Sequence, residues 1–298
     1  MAQVKIKHHV IYYSASVLIG FLGFLPFRWM GFLGRVFGLL VFKLAKKERE
    51  KTIRNIRTAF PKDMTWPQAE KLARSVWIRL GWNLFEVARW VPMSQEEVVS
   101  QVVRVRGWEH MENALARQKG VIIVSGHLGN WELMGAYFAS KTPTVAVAQK
   151  LYDPRFDDLV TWMRSEKLKI PMIKRGLALR GILEALKNNN AICALVDQDT
   201  GNDGVFVPFF GKLAWTQSGV ARIAYKTGAA LVPAFVVRGV DGRFEMHVER
   251  EIEVPRTGDA EKDILETVRR YTEVIESYVK AYPDQWVWMH ERWKTRQF

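Results

Sequence analysis

The stretch Gly120-Val121-Ile122-Ile123-Val124-Ser125-Gly126-His127-Leu128-Gly129-Asn130-Trp131-Glu132 decides how this chain is organised. Val121 to Val124 is a short β-branched run bounded by Gly120 and by Ser125-Gly126, which reads as a buried strand rather than a helix. Asn130 is a good N-cap for the apolar, helix-compatible residues that continue through Ala139. His127 therefore falls in the turn at the carboxyl end of a strand, and Glu132 in the first turn of the following helix. Open α/β sheets bind their ligands at this edge. On one continuous helix five positions would rotate the two side chains about 140° apart, so the spacing makes sense as loop plus helix start. There the helix N-terminus favours neutral imidazole, and a carboxylate on the other ring nitrogen would set its tautomer and orientation. Taken alone, the pair reads sooner as a strand-end histidine satisfied by its neighbours and a first-turn acid favoured by the helix dipole than as a catalytic pair; the surrounding residues reverse that order.

Outward from this stretch the pattern alternates between strand and helix. Thr144 to Ala148, Ala191 to Val196 and Leu231 to Val237 read as strands. Helices are expected over residues 154–168, 177–187 and 217–226. Such alternation predicts an α/β fold with a largely parallel central sheet flanked by helices. Phe244 to Glu249 alternates with period two and suits an edge strand, and a long amphipathic helix follows over residues 260–281. Upstream, Leu72, Val76, Leu80, Leu84, Val87 and Val91 recur at helical spacing behind Thr65-Trp66-Pro67, a start signal. Glu86 stands out on that helix and reads as a snorkelling or paired acid. No linker, low-complexity tract or internal repeat divides the chain.

With 298 residues and a formal charge of +13, the chain is long enough for a full core and suits an anionic partner. No RNP-like block, zinc-finger spacing or DNA-reading helix accompanies the charge, so nucleic acid is not expected. Val10 to Phe27 carries 18 consecutive uncharged residues, and only Arg28 and Arg35 interrupt the apolar composition through Phe42. No small-x-small cleavage site ends the run, so it reads as a retained N-terminal membrane-anchoring helix, spanning or half-embedded, rather than a signal peptide. Lys43, Lys46, Lys47, Arg49, Lys51, Arg54 and Arg57 make its C-terminal flank basic. That places the remainder on the cytoplasmic side and suits contact with anionic headgroups. The expected division is an anchor with its basic flank over residues 1–45 and a catalytic domain over 46–298. Lone Cys193 excludes an intrachain disulfide and fits a reducing compartment.

His127-Leu128-Gly129-Asn130-Trp131-Glu132 resembles the H-x4-D/E signature of glycerolipid acyltransferases, in the form carried by the bacterial late acyltransferases of lipid A biosynthesis. Three further blocks occur in the same order. Asn55-Ile56-Arg57-Thr58-Ala59-Phe60-Pro61 resembles the N-terminal Asn-x4-Phe-Pro element. Val196-Asp197-Gln198-Asp199, with residues 204–211, resembles the central block, and residues 286–294 resemble the closing tryptophan-rich motif. The resemblance implies a glycerolipid-acyltransferase-like fold. It also implies transfer of an acyl chain from acyl carrier protein to a hydroxyl of a lipid A precursor at the cytoplasmic face of the bacterial inner membrane. No cofactor is implied, acyl-acyl carrier protein being a co-substrate.

In that reading His127 takes the proton of the acceptor hydroxyl while its oxygen attacks the thioester, and Glu132 orients the imidazole: a triad whose serine is the substrate. Backbone amides near Gly129, or an arginine, are the candidates for stabilising the developing oxyanion. Arg164 matches an arginine that the family carries downstream of its histidine motif, and is expected to hold acceptor phosphate or the oxyanion, or else to form a surface salt bridge. Asp197, at the end of another buried strand, is expected on the same sheet edge as an acceptor-positioning or supporting acid, or as a helix cap. Gly129, Asn130 and Gln198 complete the substrate-binding candidates, with Gln198 and Asp199 ranked below Asp197. A calcium loop over Asp197, Asp199 and Asp203 lacks its closing glutamate, so no metal is expected. No P-loop, dinucleotide fingerprint or nucleophile elbow is present, which favours direct transfer over an acyl-enzyme. The tryptophan tail fits an interfacial belt, a carrier-protein contact or packing on the core. Two alternatives to lipid A acylation stand beside it. One is acylation of another glycolipid such as a phosphatidylinositol mannoside, with acyl-CoA as donor. The other is noncatalytic binding to anionic lipid.

Overall fold

The computed structural model describes residues 13, 14, 17, 19–148, 153–174, 178–201 and 203–296. Its first three named helices are α1 (Arg28–Leu44), α2 (Lys46–Ala59) and α3 (Trp66–Arg89), the last opened by a Thr65–Gln68 capping box with proline in its first turn. Met30, Gly34, Gly38 and Phe42 recur every fourth residue and form the buried face of α1. That face packs on α3 at backbone distance. A Cβ on Gly38 would lie 2.3 Å from the Trp77 carbonyl oxygen, and one on Gly81 would lie 2.3 Å from that of Gly34. The opposite face of α1 leaves Trp29, Phe32, Val36, Leu40 and Leu44 exposed.

The short α4 (Gln95–Val99) and β1 (Val102–Arg106) lead through α5 (Trp108–Ala116) to β2 (Val121–Ser125), every residue of which is buried. Next come α6 (Trp131–Lys141), β3 (Thr144–Ala148), α7 (Pro154–Trp162), β4 (Met172–Lys174), α8 (Ala178–Lys187) and β5 (Ala191–Leu195). A hairpin, β6 (Gly204–Phe209) with β7 (Lys212–Gln217), precedes α9 (Gly219–Thr227), β8 (Ala230–Arg238), β9 (Phe244–Val248) and α10 (Ala260–Ala281). Among the described residues the sheet has seven strands, in the order β1-β9-β8-β2-β5-β3-β4. The five strands from β8 to β4 run parallel, while β9 is antiparallel to β8 and β1 is parallel to β9. Apolar clusters fill both faces of this sheet. The architecture is thus α/β with a largely parallel sheet, as expected from the alternation.

Three expectations change. The period-two segment over residues 244–249 is not an edge strand, because β1 pairs outside it. The helix expected over residues 154–168 ends as α at Trp162 and continues as a π-turn over Met163–Lys167. The membrane-anchoring helix is not supported: among the described residues no helix is long and apolar enough to cross a membrane. Residues 10–12, 15, 16 and 18 of that run lie outside the described residues. In α1 one face is covered by α3, so its apolar residues divide between packing and surface and do not surround the helix.

Candidate active site

Strand register builds the centre of the site. In the parallel pair β2/β5, Ser125 lies opposite Leu195, so two residues further on His127 and Asp197 emerge side by side at the carboxyl edge. Asp197 Oδ1 lies 2.7 Å from His127 Nδ1. Its Oδ2 accepts the His127 backbone N–H at 2.8 Å and the Trp286 indole N–H at 2.7 Å. Burial works against charge on Asp197, but the adjacent His127 and these N–H donors outweigh it and hold its carboxyl at about 2. An ionised carboxylate only accepts, so Nδ1 of the imidazole carries the proton and donates. Nε2 is left as the basic nitrogen, on a ring that borders a cleft. Desolvation lowers the proton affinity of His127, yet Asp197, and after it Glu132, more than compensate, and its pKa is raised. The neutral form favoured by the α6 N-terminus alone is therefore outweighed by two carboxylates.

The expected bond from Glu132 to the imidazole is not made. Its carboxylate is held by Arg164, which donates Nε–H to Oε2 at 2.9 Å and Nη2–H to Oε1. The cause is local: Glu132 leaves the first turn of α6 towards the π-turn that carries Arg164, whereas Nδ1 faces β5. Burial works against the charge on Arg164, but its bond to Glu132 and the nearby carboxylates more than compensate and raise its pKa, so it stays cationic beside the histidine. This arginine forms no surface salt bridge: the pair lines the cleft.

The turn carrying His127 is clamped from three directions. Gly129, at φ +62°, has a position that only glycine fits, since a Cβ would meet the Val236 carbonyl oxygen at 1.7 Å. Its N–H donates to the Gln285 carbonyl at 2.9 Å, and its own carbonyl accepts the Asn83 side-chain N–H at 2.6 Å. The Leu128 N–H donates to Gly126 O at 2.7 Å, and that of Asn130 to Val236 O at 3.2 Å. The amides of Leu128, Gly129 and Asn130 are therefore committed within the protein. Asn130 is the N-cap, accepting the Leu133 N–H at 3.1 Å, and it is buried; with Gly129 it shapes the turn, and neither residue lines the cleft. Asn83 is itself held by Arg238, which forms a buried pair with Glu86, so the acid that stood out on α3 is paired rather than snorkelling.

The tryptophan tail packs on the core. Trp286 is 1% exposed and Trp288 is fully buried. The segment forms an antiparallel bridge between Trp286 and Leu128, with the Val287 N–H donating to the His127 carbonyl at 3.1 Å. Asn55 donates to the carbonyls of both Trp288 and His290 at 2.8 Å, and the Phe60 ring meets those of Phe210 and Trp288. All four sequence blocks thus converge behind His127. Asp199 is no part of the cleft: its carboxylate accepts from Gly201 and Thr295.

From His127 the cleft runs inward for about 480 Å³ between α6, β3, β4, β5, α8 and α9. Its wall is mostly aliphatic, including Met134, Gly135, Ile170, Met172, Ile182 and Ile192, and Gln198 lies on its rim. Trp131 stands edge-on to the imidazole at 5.2 Å. Cys193 also lines the cleft, but burial and then Glu132 push its thiol up to about 12, so it is no nucleophile. An apolar channel ending at a base, with a cation nearby, suits acyl transfer to a hydroxyl.

Comparison with known proteins agrees. Residues 2–295 match the family of bacterial lipid A biosynthesis acyltransferases. The lauroyltransferase of lipid A biosynthesis from Escherichia coli (strain K12) is 28% identical over 276 residues, covering 91% of this chain and 87% of the relative. The palmitoleoyltransferase of the same organism is 29% identical over 283 residues, with the same coverage, 91% and 87%. A phosphatidylinositol mannoside acyltransferase from Mycobacterium tuberculosis (strain CDC 1551 / Oshkosh) is 26% identical over 215 residues, covering 70% of this chain and 66% of the relative.

Proposed function

This chain belongs to the bacterial lipid A biosynthesis acyltransferase family and is an acyltransferase; from that premise we propose that it moves a fatty acyl chain from acyl carrier protein to a hydroxyl of a lipid A precursor of the Kdo-lipid A type. The observation that carries the reading is His127, its Nδ1–H on ionised Asp197 and its Nε2 at the mouth of an aliphatic cleft. The acyl chain lies in the cleft with its thioester carbonyl at His127. Nε2 removes the hydroxyl proton as the acceptor oxygen bonds to the carbonyl carbon. The tetrahedral intermediate collapses, the C–S bond breaks, and the imidazolium returns the proton to the departing thiolate. Ester and free thiol leave a neutral histidine. Arg164, held by Glu132, is the nearby cation that faces the developing oxyanion.

A lipid A acceptor is favoured over a mannosylated phosphoinositide because the lipid A relatives match 91% of the chain and the mannoside enzyme 70%. The site of action is the cytoplasmic face of the inner membrane. Support comes from α1, whose exposed Trp29, Phe32, Val36, Leu40 and Leu44 form one stripe flanked by exposed Arg28, Arg35 and Lys43. This arrangement suits a helix lying in the headgroup region.

Labelled acyl-acyl carrier protein, offered with lipid acceptors to the purified enzyme, tests the proposal. Transfer to a lipid A precursor is expected, and is lost in His127→Ala. Undiminished transfer by that variant would end the mechanism, and acylation of mannosylated phosphoinositide alone would replace the acceptor.

A further inference from the structure

We propose that Trp286 is a positioning residue for the reaction: its indole N–H, donating to Asp197 Oδ2, holds that carboxylate against His127 and tempers the charge it presents to the imidazole. The inference rests on the reading of His127 as the base and extends it to a residue 89 positions from Asp197.

The Asp197 side chain is 1% exposed and receives three N–H groups. Two come from His127 itself, one from its ring and one from its backbone. Among the described residues Trp286 supplies the third, so it is the donor through which the remainder of the fold acts on the pair. Indole N–H is donor-only and does not titrate near neutrality, so the bond cannot reverse and it fixes one orientation of the carboxylate. Trp286 does not line the cleft, which separates its action from substrate contact. Its main chain is held where the indole can reach by the bridge to Leu128.

Removing this donor leaves Oδ2 with one N–H. Asp197 then presents more of its charge to the ring, which stabilises imidazolium over imidazole, and the proton affinity of His127 rises. Asp197 remains ionised, because its carboxyl starts from about 2. Other charged or titratable groups acting on the pair are Glu132 on α6, Arg164 on the π-turn, and His290 and Arg292 behind Asp197, with Asp199 acting on the last two. All of them are retained in the variants below.

Trp288 provides a matched control. It lies two residues on, is equally buried, and gives its indole N–H to the Pro283 carbonyl at 2.7 Å, away from Asp197. The His127 ring is titrated by NMR in the full-length protein, its signal assigned with His127→Ala, for the native chain, Trp286→Phe and Trp288→Phe. In Trp286→Phe the His127 pKa should rise by about 0.3–1 unit, the acid limb of the kcat/KM profile should rise with it, and kcat should fall with KM little changed. Trp288→Phe should leave the titration in place. A His127 titration in Trp286→Phe that coincides with the native one or moves down overturns the proposal, as does an equal shift in Trp288→Phe. Should Trp286→Phe not fold, benzothienylalanine at position 286 keeps the shape, removes the N–H and carries the same expectation. The titration needs no turnover. Full activity in His127→Ala would therefore remove the base assignment, while an unmoved titration would remove only the role of Trp286.

Discussion

The back wall of the site, built from the end of β5 and the C-terminal segment, and its front wall, built from the start of α6 and the π-turn, each hold one carboxylate near His127. At the back, Asp197 is buried among N–H donors and touches Nδ1. At the front, Glu132 is more exposed, 15% against 1%, and is tied to a cation. One acid faces the histidine directly, while the other acts on it through space and positions Arg164. The difference teaches that the short sequence motif joins the proposed base to the acid that holds Arg164, whereas the acid bonded to the imidazole comes from the neighbouring strand.

The comparison can be broken by substitution. His127→Ala removes the group that both walls serve, and acyl transfer should fall by about 10²–10⁴-fold in kcat/KM. Asp197→Asn should cost nearly as much, because the amide no longer selects the Nδ1–H tautomer. The double variant should be little worse than either single one, since the two residues act as a unit; additive losses in single-turnover assays would separate them.

The pH dependence sharpens the contrast. In the proposed mechanism transfer needs neutral His127, whose pKa is raised, so kcat/KM should fall as pH drops through a value above that of an ordinary histidine. Each carboxylate stabilises imidazolium, so removing either moves that acid limb to lower pH. Glu132→Gln should move it by less than about 1 unit, and Asp197→Asn by about 1–3 units where residual activity permits measurement. The reverse ranking would return the orienting role to Glu132.

The smallest effect expected is on selectivity. Gly135 lines the cleft, where an added Cβ would sit 3.0 Å from Ile170 Cδ1, the movable end of that side chain. Gly135→Leu should favour shorter acyl donors by about 10-fold in relative kcat/KM, measured by competition between donors of different length. An unchanged chain-length profile would take the acyl chain out of this cleft.

Much of this was legible in local pattern. The β-branched run ending at Val124, the Asn130 cap and the 22-residue α10 follow from periodicity and capping. Strands β1 and β4 escaped notice because Val102–Arg106 mixes valine with arginine and β4 has only three residues. The resemblance to known acyltransferases pointed to the blocks around Asn55, Asp197 and Trp286 without saying that they meet.

By itself the sequence determined an α/β chain with His127 at a strand end and Glu132 in the first turn of the helix that follows, because caps, turns and periodicity act over a few residues. Tertiary structure decided the partners. Asp197 reaches His127 across 70 residues through the register of two parallel strands, and Trp286 reaches Asp197 only where the C-terminal segment bridges the catalytic turn. Hydrogen bonds across such separations depend on how strands are ordered in the sheet, and no local pattern encodes that order.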